Sequence, residues 1–119
     1  MLMIFDNPRS PWSGSEKDYK ALGKLFALKN ELTETGELVS AEGLAEPAGA
    51  KTIRIQDGAT AVTDGPFVEA KEHLAGYFVL DCASPERAVE IAARVPDAQF
   101  EAVELRPVMD LEQMAPERP

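Results

Sequence analysis

Residues 74–83, LAGYFVLDCA, place apolar bulk on both sides of an extended chain: Leu74, Gly76, Phe78, Leu80 and Cys82 alternate with Ala75, Tyr77, Val79 and Asp81. A strand of this kind needs cover on both faces, because either face left in water would be a continuous apolar strip. The rest of the chain must therefore supply two covering layers, or one layer and a partner. With 119 residues and 12.9 kDa there is material for one domain with a core that needs no disulfide or metal staple. The expectation is a single domain over 1–119, with the 7–15 loop and the 111–119 tail flexible.

The remaining elements are read from local signals. Residues 1–5 are an apolar run that stops at Asp6-Asn7-Pro8, too short for a helix and suited to a buried strand. Ser15 and Asp18 form a capping box in its acidic variant. Tyr19, Leu22, Leu25, Phe26 and Leu32 then recur at helical spacing up to the stop at Gly36. Residues 38–44 read as a strand, ended by the breaker run EPAG at 46–49. Lys51–Gln56 alternates, and Asp57-Gly58 predicts a two-residue hairpin into 59–63, since both residues tolerate positive φ. Pro66 after Asp64-Gly65 ends that strand and pushes Gly65 toward an extended backbone. Residues 69–73 suit a single helical turn. Ser84 caps and Pro85 opens a second helix with the stripe Ala88, Ile91, Ala92 and Val95, and Val103 and Leu105 alternate in a last strand before Pro107.

Strand, helix, several strands, helix, strand is the order of an α+β ferredoxin-like sandwich, one antiparallel sheet with both helices on one face. Tyr77 and Val79 then fall on the face without helices. Packing two such faces together in a homodimer covers them.

Charge narrows the partners. The chain carries 12 Lys and Arg against 21 Asp and Glu, a net −9. Residues 1–36 hold five of each sign, so all the excess lies beyond them. An acidic surface repels phosphate backbones and anionic headgroups, which argues against nucleic acid and membrane partners. One cysteine, Cys82, allows no intrachain disulfide, and the N-terminal apolar run is too short for a signal sequence or a span. These features predict a soluble, cytoplasmic protein.

The run DGPF at 64–67, within TIRIQDGATAVTDGPFVEAKEHLAGYFVLDCASPERAVEIAARVP and followed by VELRPVM, resembles the DGPF branch of the YCII-related family over almost the whole chain. The matching residues are Asp64, Gly65, Pro66, Phe67, Glu69, Lys71, Glu72, Gly76, Arg106 and Pro107. The resemblance implies a dimeric α/β-barrel, a largely uncharacterised function, and a regulatory context beside extracytoplasmic-function sigma factors. Some relatives resemble dehydrochlorinases or lactone-processing lyases and use a His–Asp acid/base pair. Here the first helix contains no histidine, and His73 stands where the DGPF pattern often has glutamine.

Read from the residues, His73 and Asp64 are the catalytic candidates, His73 because imidazole titrates near neutrality and carboxylates at Glu69 and Asp81 are close in sequence. Glu69 and His73 also have metal-face spacing, but with no second histidine and no neighbouring cysteine the expectation is no metal. Arg54, Asp64, Phe67, Lys71 and Tyr77 are the ligand-binding candidates: cations for an acidic ligand, aromatic walls for an apolar one. The structural alternatives are that Asp64 caps the bend that follows it, Phe67 plugs the sheet edge, and Arg54 and Arg106 pair with acids such as Glu104 across the sheet. Cys82 on an apolar strand face reads as a small buried hydrophobe. No phosphate loop, dinucleotide fingerprint or hydrolase elbow occurs, so no cofactor is expected. Two functions fit: a noncatalytic or regulatory dimeric module holding a small ligand, or a cofactor-free lyase or isomerase for a small aromatic or acidic molecule. An enzyme needs an ionisable group lining a pocket, which separates them.

Overall fold

A computed structural model describes residues 1–6, 11–67, 72–100, 102–114 and 116. The elements are β1 (Leu2–Phe5), α1 (Glu16–Thr35), β2 (Leu38–Gly43), β3 (Lys51–Gln56), β4 (Ala59–Asp64), β5 (Leu74–Leu80), α2 (Pro85–Ala93), α3 (Asp97–Phe100), β6 (Val103–Leu105) and α4 (Leu111–Met114), with a 3-10 turn at Pro47–Gly49. Four strands form one antiparallel sheet in the order β2-β5-β1-β6, and β3 and β4 form a separate two-stranded sheet. The α+β arrangement is compatible with a ferredoxin-like sandwich.

The doubly apolar strand takes the inner position its sequence demands, between β1 and β2. Leu2 opposite Phe78, and Ile4 opposite Gly76, turn their side chains to the helices; Leu105 and Val103 do the same from β6. Against them pack Leu28 and Leu32 of α1, Ile91 and Ala92 of α2, and Val95 just beyond it. Both helices thus cover the same face. Across the other face runs a lateral row, Glu104, Met3, Tyr77 and Glu42, one residue from each strand.

Helix ends follow their sequence signals. The Ser15 side chain accepts from the Asp18 N–H at 3.2 Å. The Asp18 carboxylate accepts from the Ser13 N–H and hydroxyl at 2.8 and 2.9 Å, which lowers its pKa. At the other end Gly36, at φ 79°, closes a Schellman motif: Glu37 N–H donates to the Leu32 carbonyl at 3.0 Å and Gly36 N–H to Thr33 at 3.2 Å. Ser84 caps α2 by accepting from the Arg87 N–H at 3.1 Å, with Pro85 in the first turn.

Three expectations are corrected. The α1 stripe read from sequence included Tyr19, Leu22 and Phe26, yet these are exposed, and the buried positions are Leu28 and Leu32 with Leu25 partly buried. Two apolar stripes share this helix, and the sheet takes only one, because the width of a packed face is about 100°. The strands expected in a single sheet are split, since β4 satisfies the whole length of β3 while the Pro47–Gly49 turn separates β3 from β2. Gly65 stands at φ 97°, a conformation open to glycine, rather than extended, and the strand runs on to Asp64. α3 and α4 add short helical turns beyond the expected elements, α4 inside the stretch expected to be flexible. The expected turn at 69–73 falls largely outside the described residues.

Glu37 fastens the layers. Its carbonyl accepts from the Asp81 N–H at 2.8 Å. Its carboxylate, 17% exposed, accepts from Arg87 Nε and Nη2 at 2.9 and 3.0 Å and from the Thr35 hydroxyl at 2.9 Å. The start of β2, the end of β5 and α2 therefore meet at one residue, through its carbonyl and its carboxylate. These donors, Arg87 first, pull its pKa down from 4.5 to about 2. A depressed carboxylate contributes stability that is complete above its unfolded pKa and disappears as pH falls through the folded one. Glu37→Gln is expected to melt below wild type at pH 6, with the gap closing between pH 4.5 and about 2; a gap independent of pH in thermal melts would contradict this role. Gly76, opposite Gly43, allows β2 to approach closely, for a Cβ there would stand 2.7 Å from the Glu42 carbonyl oxygen. Gly76→Ala is expected to destabilise the fold by about 1–3 kcal/mol in urea melts, and an unchanged midpoint would refute the close approach.

Candidate functional site

The ladder between β2 and β5 continues past Gly43, with Leu44 N–H donating to the Ala75 carbonyl at 2.7 Å, and then breaks where Pro47 enters the 3-10 turn. On the other side, Asp6 N–H donates to the His73 carbonyl at 2.8 Å, fixing the residue that precedes β5 to the end of β1. Gly65 N–H donates to the Ala50 carbonyl at 2.7 Å, and the Thr52 hydroxyl to the Gly65 carbonyl at 2.8 Å, which closes the root of the β3–β4 hairpin. These three attachments surround a cleft of about 340 Å³, lined by Leu44, Ala45, Glu46, Pro47, Gly49, Ala50, Pro66, His73 and Leu74. Its size is at the lower end of the range for small-molecule sites.

The cleft is chemically simple. Its walls are aliphatic, and its ionisable groups are the half-buried His73 and the exposed Glu46. The Glu46 side chain does not cap the turn it precedes. The lining can therefore hold a small apolar body and offer it one imidazole. A general acid/base also needs a partner that orients it: of the carboxylates expected beside His73, Asp81 follows the far end of β5 and Glu69 lies outside the described residues, and Asp64, the other catalytic candidate, is not part of the lining. Asp64 instead pairs with Lys51 directly across the hairpin, where both side chains are largely exposed. An exposed pair of this kind contributes at most about 1 kcal/mol.

The other candidates are dispersed. Arg54 lies over the Phe67 ring, 5.0 Å from its centroid, and Phe67 is 68% exposed rather than plugging the sheet edge. This cation–π stack is the partner of Arg54, in place of an acid across the sheet. Tyr77 sits half-buried in the middle of the open sheet face, between Met3 and Glu42. Lys71 lies outside the described residues, as does Glu69. Burial raises the Cys82 thiol pKa, and the Glu37 carboxylate adds to the shift, so the thiol is not activated. Among the described residues no group of three or more His, Cys, Asp or Glu side chains could hold a metal ion, and no helix is long and apolar enough to cross a membrane.

Of the residues singled out in the sequence, His73 lines this cleft, while the walls around it had no sequence signal. The EPAG run and Pro66 were visible only as breakers, and nothing in either segment signals that the two face each other. Trp12, also without an assignment from sequence, stacks edge-on against Tyr19 with ring centroids 5.1 Å apart.

Comparison with known proteins places this geometry in context. The YCII-related domain matches residues 1–112. An uncharacterised protein of Rhizobium meliloti (strain 1021) is 37% identical over 89 residues, which are 75% of this chain and 71% of that protein.

Proposed function

The chain belongs to the YCII-related family, and on that footing we propose that it is a homodimeric small-ligand-binding module whose ligand occupies the cleft at the root of the hairpin. The observation that carries this reading is the cleft itself: about 340 Å³ of aliphatic wall with one imidazole, His73, and one exposed carboxylate, Glu46, among its lining groups. Such a site suits a small aromatic or aliphatic body bearing one acidic group, with His73 donating a hydrogen bond to it. The separation of Asp64 from the cleft lining favours binding over acid/base turnover. Arg54, Phe67 and Tyr77 are not among the lining groups and do not hold the ligand in this reading.

The dimer in this proposal is the two-sheet barrel of the DGPF branch, with the faces that carry Met3, Tyr77 and Val79 packed together. A regulatory role near a sigma factor and a cytoplasmic location accompany it as the family context. One observation favours the second reading, a cofactor-free lyase or isomerase: an ionisable side chain, His73, lines the cleft, as an enzyme requires.

NMR titration of the labelled protein with a panel of small aromatic and aliphatic carboxylic acids tests both readings. Saturable shifts are expected at Leu44 and His73. Leu44→Asp should weaken the interaction roughly 10-fold or more, a loss of about 1.4 kcal/mol, by placing a carboxylate against the acid. His73→Gln should retain fold and binding, since the amide still donates. No saturable shift at the cleft with any acid would contradict the ligand site. Turnover of a panel member that disappears in His73→Gln at unchanged melting temperature would establish the lyase reading instead.

A further inference from the structure

We propose that the β3–β4 hairpin is an arm that seats its Ile53, Ile55 and Val62 face on a second copy of this chain. The inference rests on the homodimer reading above and adds to it a contact that sheet-to-sheet packing does not provide, because the hairpin lies outside the four-stranded sheet.

Register places Ile53 directly opposite Val62, with Ile55 on the same face opposite Thr60. These three apolar side chains are 62%, 56% and 67% exposed in the order Ile53, Val62, Ile55. β3 and β4 pack extensively only on each other, and a lone two-stranded hairpin is at best marginally stable in water. The arm is nevertheless well formed, with Asp57 at φ 51° and Gly58 at φ 78° in the turn that matches strand twist. A built hairpin with an uncovered apolar face calls for a surface that the described residues of its own chain do not offer.

Area and charge favour another copy of this chain as that surface. The chain exposes 9283 Å², where a compact monomer of this mass would expose about 6,300 Å². Its radius of gyration is 17.5 Å, against about 13.5 Å for a compact domain of this length. The excess, about 3,000 Å² per chain, covers what an obligate homodimer interface removes from each partner. Two bodies of net charge −9 repel, so their contact must run through surface without excess acid. The hairpin is such a surface: Lys51 and Arg54 balance Asp57 and Asp64. Because each chain both gives an arm and receives one, two-fold pairing closes the assembly and leaves no arm free to build a filament.

Sedimentation velocity over a concentration series, with hydrogen exchange of the hairpin amides, tests the proposal on the full chain. Wild type is expected to be a dimer at micromolar concentration with protected β3 and β4 amides. Ile53→Ser with Ile55→Ser, both exposed within one chain, should raise the dimer dissociation constant at least ~100-fold while methyl signals of Leu28 and Ile91 keep their native positions. Thr63→Ser, on the opposite hairpin face, should leave it unchanged. A dimer equally tight in the double variant would overturn the arm and leave the sheet-to-sheet dimer standing. A wild-type monomer would remove the dimer reading and the arm together, and protected hairpin amides in that monomer would show that the chain covers its own arm.

Discussion

The sheet of this protein carries apolar side chains on both faces and has one layer of helices. Leu2, Ile4 and Phe78 are closed off by Leu28, Leu32, Ile91 and Val95, which form a compact core on one side. Met3, Tyr77 and Val79, only half-buried, lie on the other. That asymmetry organises the rest of the molecule. It places β5 inside the sheet, requires Gly76 where β2 approaches closely, and leaves the hairpin without extensive packing on the other described elements. The Glu37–Arg87 bridge holds the helical layer in place, so the open side is where the chain can still gain stability by association.

The candidate site depends on the same wall. His73 is held in place because its carbonyl is tied to β1 and the next residue enters β5. The opposite walls of the cleft, Ala50 and Pro66, flank the hairpin root. The cleft is thus shaped by the junction between the sheet and the arm. In the proposed homodimer, a contact that steadies the arm would also steady the walls of the cleft at Ala50 and Pro66.

What could be read from sequence was what local chemistry decides. Ser15 and Gly36 bracket α1, Ser84 and Pro85 start α2, Asp57-Gly58 turns the hairpin, and the double apolar pattern of 74–83 gives the inner strand; each depends on residues at most a few positions apart. Where two local solutions were equally good, the sequence could not choose: Tyr19, Leu22 and Phe26 have helical spacing as sound as that of Leu25, Leu28 and Leu32, and only the sheet selects between them. The separation of β3 and β4 from the main sheet was invisible, since alternation specifies a strand and not its neighbour. The cleft was equally hidden, because it joins segments about twenty residues apart through hydrogen bonds. The Glu37–Arg87 bridge spans fifty positions, and no spacing rule reaches that far.

In the proposed homodimer, a second copy covers the apolar surface that the described residues of one copy leave exposed. Small-angle X-ray scattering of the purified protein at micromolar concentration measures it directly. The expected result is a forward-scattering mass of twice 12.9 kDa; a mass of 12.9 kDa with a radius of gyration near 17.5 Å, a single chain with its arm in water, would contradict it.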